Sequence, residues 1–147
     1  MRESSRIGIG YRRFRFEPAD MRSAQAQNER SEVKTGEQCI ALTIADALLG
    51  AAALGGVDAH FSSDEDPLTI LRQSEKKVYF SGYEIVNIDI SFGPHSALDK
   101  PAQEVLSDFR RLLFIKSEQI NIKFLPVFDQ GSSLLECQAV CLLGGKK

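Results

Sequence analysis

The chain has 147 residues, 43% of them hydrophobic and 26% charged, the mix of one ordinary folded domain, so 1–147 is expected to form a single domain. A formal net charge of −2 sets up no field that would recruit nucleic acid or an anionic membrane, and the longest apolar stretch, 47–57, is broken by glycines and falls short of the ~20 residues a bilayer span needs. The charged start leads into no apolar signal core, and the three cysteines show no CxxC or Cys/His spacing, so a reducing, cytoplasmic location without a membrane partner is expected.

Residues 6–16 alternate with period two through Ile7, Ile9 and Tyr11 and predict a strand, its glycines marking a place where something approaches the backbone closely. Gly8-Ile9-Gly10 lacks the third glycine of a dinucleotide fingerprint and lies inside a strand, so it is not read as a nucleotide loop. The polar stretch 17–36 predicts a loop with at most a short hairpin. Strong helix formers, apolar nearly all round, predict a helix over 37–54 that is buried on most faces and closed by Gly55-Gly56. In the acidic stretch that follows, Asp58, His60, Asp64 and Asp66 have the chemistry to meet around a divalent ion, although loops of this composition are ordinarily only solvated. Asp66-Pro67 predicts a helix start, and Leu68, Leu71 and Val78 carry an amphipathic helix toward Phe80.

Residues 83–92 alternate, with Tyr83, Ile85, Asn87 and Asp89 on one face and Val86, Ile88 and Ile90 on the other, and predict a half-buried strand. Leu98, Ala102, Val105, Leu106, Phe109 and Leu113 form the stripe of a helix packed on a sheet. Strands are expected over 119–127 and 134–143. The order strand, helix, helix, strand, helix, strand, strand predicts an α/β (α+β) sandwich: a mixed sheet of about four strands with helices packed on one face. Cys39, Cys137 and Cys141 read as core thiols; the last two sit four apart in a strand, roughly 13 Å, too far for a disulfide. GxSxG, HExxH and Walker patterns are missing, so generic motifs assign no chemistry.

The run 45–55, Ala-Asp-Ala-Leu-Leu-Gly-Ala-Ala-Ala-Leu-Gly, followed by Phe61 and Asp64-Glu65-Asp66-Pro67, closely resembles the buried helix and following loop of the methylerythritol cyclodiphosphate synthase family. Arg6-Ile7-Gly8-x-Gly10-Tyr11 is similar to that family's opening strand, Gly82-Tyr83 with Asn87-Ile88-Asp89 to its middle strand, and Ile120-Asn121-Ile122-Lys123 and Glu136-Cys137-Gln138-Ala139-Val140 to its last two. The resemblance thus covers nearly the whole chain, with 17–36 and 93–101 shortened. It implies a homotrimer with active sites between neighbours, and an enzyme of isoprenoid biosynthesis that cyclises a cytidine diphosphate derivative of methylerythritol phosphate and releases CMP. It also implies a zinc ion held by one Asp and two His, with a second divalent ion across the diphosphate.

At those positions the chain departs from the pattern. The family's Gly-His-Gly-Phe-Asp-Val-His reads Gly8-Ile9-Gly10-Tyr11-Arg12-Arg13-Phe14, so the zinc Asp falls on Arg12, one zinc His on Phe14 and the other on Leu42. The substrate loop His-Ser-Asp-Gly-Asp reads Lys34-Thr35-Gly36-Glu37-Gln38, the nucleotide loop Thr-Thr-Glu reads Pro126-Val127-Phe128, the following turn is shortened to Gly131-Ser132-Ser133, and the ribose acid is Gly56. Asp46 and Asp64 match family acids. The expectation is a protein without a catalytic residue, metal or cofactor: a non-catalytic homologue acting as a homotrimeric scaffold or a phosphate- or diphosphate-binding protein, with Arg12, Lys34, Asp46 and Asp64 as ligand-binding candidates. Two alternatives stand beside it, a divergent active cyclase and a nucleic-acid module built on Arg6, Arg12, Arg13 and Arg15 among Tyr11, Phe14 and Phe16, the second disfavoured by the acidic balance of the chain. A mixed trimer with an active paralogue is a further form of the scaffold. At the vacated metal position two readings stay open: Arg12 offers its fork of donors to a phosphate with Lys34 adding charge, or Arg12 pairs with Asp46 or Asp64 and fills the hole.

Overall fold

The computed structural model describes residues 4–15, 34–126 and 134–146. Strand β1 (Arg6–Arg15) leads to helices α1 (Gly36–Ala51) and α2 (Pro67–Phe80), then β2 (Tyr83–Gly93), α3 (Ala102–Leu113), β3 (Ile120–Phe124) and β4 (Leu134–Gly145). The strands form one sheet in the order β1-β4-β2-β3, antiparallel except for β2 and β3, and the helices cover one face. The expected α+β sandwich with a mixed sheet is therefore observed. The predicted loop positions 17–33 and the segment 127–133 lie outside the described residues.

Helix α1 is the centre of the core. Thr35 caps it by accepting from the Gln38 N–H (3.1 Å) while Gln38 Oε1 accepts from the Thr35 N–H (3.0 Å), so it starts at Gly36 rather than leaving that residue in the loop. Between Cys39 and Ala51 nearly every side chain is buried, as the unbroken apolar composition predicts. The glycines of β1 let the helix lie directly on the strand backbone: a Cβ on Gly8 would stand 1.9 Å from the Ala47 carbonyl oxygen, and one on Gly10 2.1 Å from that of Thr43. Arg6 Nε donates to the Ala51 carbonyl (2.7 Å), giving the last turn of α1 the positive charge that its own sequence lacks.

Three boundaries and the register of one strand differ from the periodicity. The left-handed residue closing α1 is Ala53 (φ 59°), not Gly55 or Gly56; Leu54 N–H returns to the Leu49 carbonyl (2.9 Å) and Ala53 N–H to that of Gly50 (3.0 Å). The half-buried Leu54 packs on the core and ends the helix one turn before the glycines. In β2 a bulge between Ile85 and Asn87 inserts Val86, so Tyr83 and Ile85 share the inner face with Ile88, Ile90 and Phe92, and Val86 is exposed. Helix α3 begins at Ala102 behind Pro101, because the residue before a proline is driven out of helical conformation; Leu98 lies in extended chain after the 3-10 turn His95–Ala97. Strand β3 ends at Phe124, short of the expected extension.

The other sheet face is open. Ile7 (68% exposed) and Ile9 (70%) project from it, with Tyr11 and Val140 alongside. Among the described residues no helix is long and apolar enough to cross a membrane.

Candidate functional site

The inner face of β1 carries Gly8, Gly10, Arg12 and Phe14 in succession, so the alternation that makes room for α1 also points the Arg12 guanidinium at that helix. Arg12 Nε donates to Asp46 Oδ2 at 2.6 Å, with both side chains about four-fifths buried. The other carboxylate oxygen, Oδ1, accepts the backbone N–H of Val57 (2.8 Å), and Arg12 Nη2 stands 3.9 Å from Asp58 Oδ1. One carboxylate therefore ties β1, α1 and the 3-10 turn Val57–Ala59 together. Burial works against the charge on Arg12, but the hydrogen bond and charge of Asp46, with Asp58 behind it, outweigh burial and hold the guanidinium above its ordinary pKa.

Of the two open readings for Arg12, the geometry is that of the filled hole, with Asp46 as the partner. Asp64 lies in the exposed loop, takes a hydrogen bond from the Ser62 hydroxyl, and makes no ion pair with Arg12; that hydroxyl and its own backbone N–H keep its carboxyl below the ordinary value. Lys34 reaches the ring of Phe14, with its ammonium 5.9 Å from the centroid. Asp58, which the sequence groups with the loop acids, also stands beside Arg12; its signal, an acid just past Gly55-Gly56, points nowhere without the tertiary turn. The loop acids do not converge. His60 Nε2 meets the Leu54 carbonyl (2.6 Å), Asp66 caps α2 by accepting the Thr69 N–H (2.9 Å), and among the described residues no three His, Cys, Asp or Glu side chains are grouped to hold a metal ion.

The metal that the resemblance implies does not fit this donor set. Its three positions hold a guanidinium already paired with a carboxylate, the half-buried phenyl ring of Phe14 and the buried isobutyl group of Leu42, and none of these has a lone pair for a cation. The cysteines lie buried and unbridged in the core, as expected; burial pushes the Cys137 thiol up to about 12 and that of Cys141 to about 11, and Cys39 also rises, so none is a thiolate at neutral pH. The four arginines of the nucleic-acid reading do not share a face: Arg6 and Arg12 turn toward α1, and Arg13 turns to the open side.

The model of the YgbB family matches residues 5–143 of the chain. The 2-C-methyl-D-erythritol 2,4-cyclodiphosphate synthase of Desulfatibacillum aliphaticivorans is 34% identical over 112 residues, 67% of this chain and 72% of that protein. The synthase of the same name from Salinibacter ruber is 29% identical over 133 residues, 80% of this chain and 82% of its own length. Among solved structures, the CDP complex of IspF from Plasmodium falciparum superposes with a TM-score of 0.76 over the whole of both chains at 19% identity, a likeness of fold.

Proposed function

The chain belongs to the YgbB family, and from that premise we propose that it is a non-catalytic member: a single-domain, cytoplasmic, homotrimeric scaffold whose metal position is filled by an internal ion pair. The observation that carries this reading is the 2.6 Å contact of Arg12 with Asp46, whose second oxygen is held by Val57. Attack of a phosphate on a diphosphate builds negative charge that must be met by cationic groups, and that stabilisation is usually the largest catalytic effect. Here the guanidinium of Arg12 is already neutralised by the carboxylates of Asp46 and Asp58. A guanidinium can neither coordinate nor release a proton at neutral pH, so it orients no attack.

The same neutralisation argues against the phosphate-binding form of the reading, since a phosphate would have to displace Asp46 from Arg12. The trimer is supported by the open sheet face, where Ile7, Ile9, Tyr11 and Val140 would otherwise remain in water. Cyclase activity, for which the relatives are named, tests the proposal: the purified chain, supplied with the cytidine diphosphate derivative of methylerythritol phosphate, zinc and magnesium, is expected to release no CMP above the uncatalysed rate. CMP release that is lost in Asp46→Ala overturns it. Calorimetry with pyrophosphate and with CMP is expected to show no heat; binding abolished by Arg12→Ala establishes the anion pocket instead.

A further inference from the structure

At the Tyr83 end of the sheet, where α2 stops and α3 turns into β3, the surface carries rings instead of polar groups. Phe80, the last residue of α2, is 81% exposed, and Phe114, which follows α3, is 75% exposed. Phe114 adopts φ 57° and ψ 44°, a left-handed conformation that turns its ring outward and that few bulky residues tolerate. Two grooves meet there and share Phe114 and Ile115. The larger, about 610 Å³, runs between α2 and the start of β2 over Tyr79, Phe80, Ile85 and Leu113. The smaller, about 480 Å³, is edged by Arg110, Arg111 and Lys116 with the hydroxyls of Ser107 and Ser117.

The charge of this surface is opposite to that of the chain. Five basic and two acidic residues line the joined grooves, whereas the whole chain carries −2. Arginines in the last turn of α3 complement its dipole, and Arg111 also pairs with Asp108 (2.6 Å). Arg72 is paired with Glu75 and stacks on Phe114, 4.8 Å from its centroid. Arg110 and Lys116 remain without an ion pair among the described residues. Apolar rings flanked by unpaired cations are the make-up of a recognition surface, in which aromatic anchors supply affinity and the charges select the partner.

We infer that the joined grooves dock an acidic segment of a partner protein, its apolar side chains seated on Phe80 and Phe114 and its carboxylates on Arg110 and Lys116. Both grooves are open along their length, which suits an extended or helical segment better than an enclosed small molecule. A second copy of this chain, whose acidic run 62–66 lies between Phe61 and the exposed Leu68, is the competing occupant that oligomeric mass distinguishes.

The test is selection of a random 16-residue displayed peptide library on the intact protein, followed by fluorescence polarisation with the enriched peptides. Enriched sequences are expected to carry several Asp or Glu and at least two apolar residues. Their affinity is expected to fall at least tenfold in Phe114→Gly, which keeps the left-handed backbone, and in the surface double variant Arg110→Glu/Lys116→Glu, and to weaken in high salt. The double variant keeps the test decisive if Phe114→Gly fails to fold. The proposal is overturned if no acidic sequence is enriched, if the enriched peptides bind both variants unchanged, or if either variant alters the oligomeric mass by light scattering, which would assign the surface to a second copy.

Discussion

Replacing Arg12 with alanine removes the only cation among the described residues in contact with Asp46 and leaves a carboxylate, four-fifths buried, with the Val57 N–H as its remaining partner among them. A hydrogen bond to a charged group contributes about 1.5–3 kcal/mol, and a buried charge deprived of its partner lies at the upper end of that range. Arg12→Ala is therefore expected to destabilise the fold by about 2–3 kcal/mol, roughly 5–10 °C in melting temperature for a chain of this size. Arg12→Lys keeps a charge but not the side-on Nε donor and recovers only part of the loss. In a double-mutant cycle with Asp46→Ala, the two losses are expected to be non-additive by at least ~1 kcal/mol, since each single variant strands the other partner. Urea unfolding at fixed protomer concentration supplies the four values, because an oligomer's apparent stability changes with concentration. If Arg12 instead were held ready for a phosphate, its removal would cost little in phosphate-free buffer. A loss below about 0.5 kcal/mol, the usual scatter of surface substitutions, refutes the reasoning.

Ala53→Gly is expected to stabilise the protein by ~0.5–1 kcal/mol, because Ala53 closes α1 at φ 59°, where glycine has no Cβ to clash; an unchanged or lower urea midpoint contradicts it. Ile9→Glu places a charge on the open sheet face and is expected to convert a trimer into monomer in light scattering, with the far-UV spectrum retained; an unchanged mass removes the face from the assembly. Asp89 is held below its ordinary pKa, first by the hydrogen bond from Lys123 (2.6 Å) and next by that from Asn121 (3.1 Å). A carboxylate depressed in the fold stabilises it above the unfolded value of about 3.9 and loses that contribution as pH falls through the lower, folded value. Asp89→Asn is accordingly expected to flatten the acid limb of the stability profile below pH ~4, and an unaltered limb assigns the acid sensitivity elsewhere.

Much of the fold is legible in residues whose physics is local. Gly8 and Gly10 announce a close approach, and the carbonyls of Ala47 and Thr43 provide it. The apolar run around Leu48 can only be a helix with protein on all sides, and Asp66-Pro67 starts α2 where a proline is best tolerated. What periodicity misses depends on partners distant in sequence. The extra residue at Val86 is invisible to a period-two count, because a bulge exists only against the strand it faces; alternation therefore puts Tyr83 and Ile85 on the face opposite Ile88 and Ile90, whereas the structure places all four on the inner face. The site divides in the same way. That Arg12 faces the helix follows from alternation, whereas its choice of Asp46 over Asp64, and the reinforcement from Asp58, are set by how the Val57–Ala59 turn folds back on α1.

The most direct measurement is an anomalous difference map, at the zinc absorption edge, of crystals grown with the chain and soaked in zinc. The account predicts continuous density joining the Arg12 guanidinium to the Asp46 carboxylate and no anomalous peak between β1 and α1. A peak there, with Arg12 swung away and Asp46 turned toward the metal, contradicts it.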